Sequence, residues 1–359
     1  MTETTGPLFR TVMPLHMVWL ATNACNARCQ HCSSNSARRS PDELTTAEAL
    51  ALIDEFAAAG VVDLAISGGE PLLRGDIVRI VDRARARGLA VGVGSNGSRL
   101  SRATADRLAV SGINRFQVSL DGLPASHDTL RCWPGLFDRA VASIHTAVDA
   151  GLRVHVCCTI TRLNFDELDA FCELITALPV QRINFSRYVP TGRGTDALDL
   201  TDAEWRPVVE HIIELRERYR GRLEIVGHLA QQILVDDVLA DMPGFTGCQA
   251  GAGQGCVAAN GDVYPCVLLP VPVGNVRTTS FSEIWRSAPL LTDLRDRNHL
   301  VGSCHTCSQR ERCGGCRAVA FARTGDVFAT DPRCWIADPT LSGHNVTAVS
   351  IKQKGVSHV

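Results

Sequence analysis

The sequence predicts an α/β protein: an open, partial barrel of six strand–helix repeats followed by a small cysteine-rich unit. Three observations carry this. Short apolar runs alternate with longer helical patterns from Val18 to about Arg187. Gly88, Gly112 and Gly151 each stand between a helical pattern and the next apolar run, where helix C-caps fall. From Cys248 onward the chain turns rich in Cys and Gly, a composition that buries little apolar surface without metal.

The expected strands, in order, are Met17–Ala21, Val61–Ile66, Ala90–Val93, Arg115–Leu120, Arg153–Ile160 and Arg182–Phe185. Thr45-Thr46-Ala47-Glu48 opens the first helix with capping-box spacing and Gly60 closes it. Asn164-Phe165-Asp166-Glu167 opens a later one, and the charges from Arg79 to Arg87 read as a solvated helix face. Six such repeats imply a parallel sheet with right-handed crossovers, too few to close an eight-stranded barrel. The site is expected at the C-terminal ends of the strands, where the loops gather. Thr201 to Arg220 reads as a further helix, followed by a short strand at Leu223–Gly227 and a helical stretch to Met242. Asn260-Gly261 signals a hairpin. The expected units are a barrel over 14–220, a linker over 221–247, a cysteine-rich domain over 248–340 and a flexible tail over 341–359, mobile from about His344.

Of 359 residues, 45% are apolar and only 5% aromatic, so the core must come from Ala, Val, Leu and Ile. A net charge of −2 with no strongly basic region argues against a nucleic-acid partner. Neither a secretory signal nor a run of membrane-spanning length is seen, so the expected setting is cytoplasmic, without a membrane partner. Fifteen cysteines in a reducing compartment call for metal or catalysis rather than disulfides.

Cys25, Cys29 and Cys32 form a CxxxCxxC triplet directly after the first strand. Three thiolates on one short loop can hold an iron–sulfur cube and leave its fourth iron without a protein ligand. Zinc would want a fourth ligand nearby, and His31, adjacent to Cys32, is poorly placed to supply it. A GxGxxG run at Gly92–Gly97 spells a dinucleotide fingerprint. It follows the third strand rather than the first, and no acidic residue closes the next strand at the expected distance.

The triplet, with the aromatic His31 before its last cysteine, resembles the signature of the radical S-adenosylmethionine (SAM) superfamily. Gly68-Gly69-Glu70-Pro71 after the second strand matches that family's GGEP motif, which binds the methionyl amino group. Ser95-Asn96-Gly97 and Ser119-Leu120-Asp121-Gly122 fall where the family contacts the ribose and carboxylate. The resemblance covers roughly Val18 to Arg187. It implies a TIM-like partial (β/α)6 barrel, SAM as cofactor, and a 5′-deoxyadenosyl radical made at the first cluster.

Eight further cysteines, Cys248, Cys256, Cys266, Cys304, Cys307, Cys313, Cys316 and Cys334, make two sets of four. A pair of structural zinc sites is the alternative, although zinc ribbons space their CxxC pairs more widely. Their order, with four residues between Gly261 and Cys266, resembles the SPASM extension of the same superfamily. That resemblance implies that Cys248, Cys256, Cys266 and Cys316 hold one 4Fe–4S cluster and Cys304, Cys307, Cys313 and Cys334 a second, three clusters in all. Cys313-Gly314-Gly315-Cys316 is one residue shorter than the family's usual CxxxC. Val267 stands where sulfatase-maturing members carry Asp, which speaks against that activity.

Cys157, Cys158 and Cys172 read as buried small residues. Cys132, in the loop after strand four, is a candidate hydrogen donor or a bystander thiol. Arg187, Tyr188 and Arg193 follow strand six and are candidate substrate contacts or solvated loop residues. His127-Asp128-Thr129-Leu130-Arg131 and the Arg187–Arg193 stretch resemble haem-pathway and mycofactocin-type members, and the SPASM group also includes PQQ-type peptide maturases. The expected function is oxidation of a peptide or of a sugar, aminocyclitol, nucleoside or tetrapyrrole, with peptide maturation slightly favoured. Expected partners are an electron donor such as flavodoxin or ferredoxin and, since only 24 residues precede Cys25, a separate peptide-carrier protein.

Overall fold

A computed structural model describes residues 13–240, 242 and 246–336. Strands β1 (His16–Leu20), β2 (Asp63–Ser67), β3 (Ala90–Ser95), β4 (Arg115–Ser119), β5 (Val154–Ile160), β6 (Arg182–Arg187) and β7 (Glu224–His228) lie side by side in chain order, every neighbouring pair parallel. Between them run α1 (Thr46–Ala58), α2 (Ile77–Ala86), α3 (Arg102–Val110), α4 (Pro124–Arg131), α5 (Leu136–Asp149), α6 (Leu168–Thr176) and α7 (Asp202–Arg218). The capping box at Thr45 and Glu48 is formed, and a second one at Thr201 and Glu204 opens α7. The expected partial barrel is present, and β7 extends it. Glu224–His228, within the stretch read as a linker and at the strand expected over Leu223–Gly227, thus supplies a seventh barrel strand.

Alternation divides the strands into two faces. Leu64, Ile66, Val91, Val93, Phe116, Val118, Val154, Val156, Ile183 and Phe185 are buried in the main core. Their neighbours Gln117, Cys157, Asn184 and Ser186 face the other way. The Asn184 amide donates to Gln117 Oε1 (3.3 Å) across the intervening β5, and Cys157 Sγ lies 3.5 Å from Ser186 Oγ. These four residues line the inner wall across β4, β5 and β6 with polar groups.

The cysteine-rich region is joined to this sheet rather than tethered to it. Strand β8 (Gln254–Val257) pairs in parallel with the free edge of β1. Strand β9 (Asp262–Tyr264) returns antiparallel through the expected turn, where Gly261 has φ +92°, and β10 (Gly274–Asn275) follows. The sheet order is β10-β9-β8-β1-β2-β3-β4-β5-β6-β7. The next helix, Phe281–Ser287, buries Phe281 and Trp285 in the main core, with Phe281 edge-on to Phe56 of α1 at 4.8 Å. A second, smaller core counts Cys248 and Cys266 among its members beside Leu269, Leu294 and Val319, so thiols do part of its packing. Among the described residues no helix is long and apolar enough to cross a membrane. The tail expected at 341–359, and 337–340 at the end of the cysteine-rich region, lie outside the described residues.

Candidate functional site

The loop bearing Cys25, Cys29 and Cys32 leaves β1 at the C-terminal rim and is fastened on every side. Glu43, buried, accepts from the Thr22 hydroxyl (2.9 Å), the Asn23 N–H (2.7 Å) and the Ser40 N–H (3.1 Å). Cys25 N–H donates to Ala37 O and Ala37 N–H to Asn23 O, which closes the loop at its base. Arg193 donates from Nε to Cys29 O (3.0 Å) and from Nη1 to Ser36 O (2.7 Å), while its own N–H reaches Cys32 O. A residue read as a candidate substrate contact therefore holds the loop.

Gly68-Gly69-Glu70 lies directly under this loop. Gly69 N–H donates to Thr22 O (2.7 Å) and Glu70 N–H to Ala24 O (2.8 Å). A Cβ on Gly69 would sit 2.2 Å from Ala24 O, and one on Gly68, whose φ is +137°, 2.6 Å from Thr22 O. The glycines thus admit the backbone of the cysteine loop itself. Glu70 is fully buried and accepts from the Ser95 hydroxyl (2.9 Å), Asn96 N–H (2.8 Å) and Leu72 N–H (3.1 Å). Burial raises its pKa against those three donors. The Asn96 amide donates to Asn26 Oδ1, tying this group back to the loop.

On the other side stands Asp121, after β4. Its Oδ2 receives Arg131 Nε (2.8 Å) and Nη2 (2.7 Å), its Oδ1 the Thr159 N–H (2.8 Å), and its own N–H donates to His127 Nδ1. Burial pushes its pKa up, but Arg131, His31 and His127 outweigh that and leave it at about 2. His31 Nε2 lies 3.4 Å from Asp121 Oδ2, and burial drops the imidazole to about 4, so it stands neutral. Arg131 Nη1 reaches to 4.0 Å from Cys29 Sγ. In the sequence Arg131 stands out only inside a motif resemblance; here it is a buried cation beside the Cys29 thiol. Ser119 ends β4, paired with Cys157.

Seven of the eight C-terminal cysteines fall into two neighbourhoods. Burial pushes the Cys266 thiol up to about 12, with the Leu268 N–H opposing and nearby Cys248 and Cys316 adding, and Cys256 senses Cys266 in the same way. Burial likewise takes Cys313 to about 12, with the Gly315 N–H opposing and Cys334, Asp331 and Cys304 adding. Cys307 follows Cys304 by three residues at the end of the Ser303–Thr306 helical turn. All fifteen cysteines are free thiols. Buried thiols grouped this way fit polynuclear iron, which displaces their protons and supplies the countercharge that burial otherwise denies them. The same holds for Cys25 and Cys29, whose thiols burial also raises.

Burial and hydrogen bonding distinguish three further candidates. Tyr188 is buried and its hydroxyl donates to Thr195 O (2.9 Å). Arg187 is buried in an ion pair with Asp331, away from solvent. Cys132 is exposed, capping α4 in a left-handed conformation at φ 51°. Gly92, the first glycine of the dinucleotide-like run, has another purpose: a Cβ there would meet the Arg115 side chain at 2.6 Å, on its way to Asp63.

A partial barrel with a three-thiol loop at its rim, a buried carboxylate beneath it and a sheet-linked module of eight cysteines defines an iron–sulfur enzyme working at a barrel mouth. Residues 19–175 match the radical SAM superfamily and residues 248–308 the iron–sulfur cluster-binding SPASM domain. The chain is 34% identical over 338 residues to the AdoMet-dependent heme synthase of Methanosarcina barkeri, across 90% of this chain and 97% of that protein. It is 31% identical over 346 residues to the mycofactocin maturase MftC of Mycobacterium tuberculosis, across 94% and 85%. SuiB of Streptococcus suis, bound to S-adenosylmethionine, shares the fold at a TM-score of 0.75 and 18% identity, across 90% of this chain and 78% of that one. The chain belongs to the radical SAM superfamily, as an enzyme with a SPASM iron–sulfur domain.

Proposed function

We propose that this enzyme holds three 4Fe–4S clusters and oxidises a peptide substrate after hydrogen-atom abstraction. Cys25, Cys29 and Cys32 would hold the first cluster, Cys248, Cys256, Cys266 and Cys316 the second, and Cys304, Cys307, Cys313 and Cys334 the third. When bound, the first cluster with S-adenosylmethionine on its open iron supplies a 5′-deoxyadenosyl radical. Glu70, with Ser95 and Asn96, orients the methionyl end of the cofactor; His31, Ser119 and Asp121 flank it, and Gly68, Gly69 and Pro71 shape the turn beneath. Arg131 and Arg193 keep the loop in place. The auxiliary clusters, when bound, would supply a sink for the second electron of the oxidation, and a flavodoxin- or ferredoxin-class protein would exchange it with the enzyme.

The observation that carries the peptide reading is the inner wall, where Gln117, Asn184, Ser186 and Cys157 offer hydrogen-bonding groups. A maturase among the relatives and a fold neighbour seen with its precursor peptide support it. The identity to heme synthases favours a second reading, oxidation of a tetrapyrrole side chain. Deuterated candidates of each class, incubated anaerobically with reduced enzyme, separate the two through label transfer into 5′-deoxyadenosine. Label from a peptide presented with a carrier protein is the expected result. Label from a free tetrapyrrole alone overturns the peptide reading. Anaerobic reconstitution should give about twelve irons, about a third of them lost from the triple Cys25, Cys29, Cys32→Ala variant. That variant should not cleave the cofactor, whereas Cys304→Ala should.

A further inference from the structure

Arg187, at the end of β6, meets Asp331, in the last described loop of the cysteine-rich module. The pair is bidentate, Nη1 to Oδ2 at 2.9 Å and Nη2 to Oδ1 at 3.2 Å, with side chains 4% and 0% exposed. Gln231, also buried, accepts from Arg187 Nη1 (2.9 Å) and donates to Asp331 Oδ2 (2.5 Å). The guanidinium lies over the Trp205 ring, 4.7 Å from its centroid. Burying two charges costs several kcal/mol per ion before they attract one another, so such a pair is weak evidence for stability.

Its surroundings give it a different use. Asp331 Oδ2 accepts the Cys316 N–H (2.7 Å), Oδ1 the Arg333 N–H (3.0 Å), and the Asp331 carbonyl the Cys334 N–H (3.0 Å). One residue thus fixes the backbone at a cysteine of each neighbourhood, and its negative charge is shared among these donors. Arg187 carries the positive charge beside them: its guanidinium holds the same carboxylate oxygen, Asp331 Oδ2, that accepts the Cys316 N–H. In a site shielded from water a charge at this range is poorly screened.

We propose that Arg187 is a positioning residue that raises the reduction potential of the cluster held at Cys316, so that this cluster takes the electron released by the substrate. The proposal rests on the ligand reading given above. The substrate radical loses one electron and one proton to become product. The electron reduces the cluster by one unit, the proton leaves to solvent, and an external electron-transfer protein of the flavodoxin or ferredoxin class later removes the electron.

Potentiometric titration followed by EPR, on the full chain carrying C25A, C29A and C32A, reads the two auxiliary clusters alone. Arg187→Gln is expected to lower one midpoint by at least a tenfold change in the reduced-to-oxidised ratio, about 59 mV for one electron. The other midpoint stays, and about eight irons are retained. Arg187→Lys, which keeps the charge, restores the midpoint. If the Gln variant loses its cluster, Asp331→Asn provides the measurement instead and must move the same midpoint upward. Unchanged midpoints at full iron overturn the proposal, as does loss of about four irons from both the Gln and the Lys variants without any shift. Cys316→Ala tells the two failures apart. If it removes no EPR signal, the ligand reading has failed; if it removes a signal that Arg187 and Asp331 variants leave in place, only the tuning has failed.

Discussion

Gly69→Ala tests whether the glycine pair exists to let the cysteine loop sit on β2. The added Cβ would lie 2.2 Å from Ala24 O, 2.7 Å from Ala24 C and 3.0 Å from Cys25 Cβ. Restoring ordinary contact requires the loop to rise by about 1 Å. Overpacking of this kind costs about 1–3 kcal/mol, and the two backbone hydrogen bonds that Gly69 and Glu70 donate would stretch, at about 1 kcal/mol each. A total near 3 kcal/mol shifts the loop's conformational equilibrium more than a hundredfold, at about 1.4 kcal/mol per factor of ten. The damage should be local. Iron analysis after anaerobic reconstitution should show loss of about four irons, with EPR features of the other clusters intact. Cofactor cleavage, followed by release of 5′-deoxyadenosine, should fall with them. Gly75→Ala is the control, since a Cβ there meets nothing within 4 Å. A Gly69→Ala enzyme with full iron and normal cleavage would refute the reasoning.

Asp121→Asn leaves Arg131 buried with its counterion removed, and should cost about 3–5 kcal/mol in urea unfolding of the apo chain; a change below about 0.5 kcal/mol, typical of an ordinary surface substitution, sinks the assignment. His155, buried on β5 with Nδ1 unpartnered within the protein, has its pKa lowered to about 4 by burial first and then by Arg182, Arg115 and Arg153. A lowered histidine pKa contributes stability that is fully present above about 6.5 and is lost as pH falls toward 4. His155→Gln should flatten the fall in melting temperature of the apo chain across that window, and an unchanged slope counts against it.

The local signals in the sequence were readable because they are short-range. Six strands fall where alternating apolar runs place them, and Thr45 with Glu48 forms its cap as spelled. The rest depended on distant partners. The apolar run at Leu223–Gly227 reads as a strand, but nothing in its own residues says that it pairs with β6. Nor does Gln254–Val257 announce that it lies against β1, more than two hundred residues earlier. Arg187 and Tyr188 look like mouth residues because they follow a strand; their burial comes from Asp331, Gln231 and Thr195, which only the tertiary fold brings close. Pro124–Arg131 is helical because Pro124 starts it, and the turn places His127 and Arg131 together on Asp121.

The pairing of β8 with β1 has a mechanical consequence for electron transfer. The thiol loop leaves the C-terminal end of β1, and Cys256 lies within β8, opposite Val18 in register. Rigid backbone hydrogen bonding therefore sets the spacing between the first cysteine group and the second, with no flexible linker between them. Arg277 strengthens the same joint by clamping Glu48 of α1 together with the carbonyls of Asp42 and Glu43, and Glu43 in turn holds the start of the cysteine loop. At the far edge of the barrel, Arg187 and Asp331 fasten the module to β6. The cysteine-rich module is thus pinned to both sides of the barrel mouth, at β1 and at β6. Under the proposed ligand assignment, an electron leaving a substrate at that mouth would meet acceptor sites whose spacing the sheet fixes.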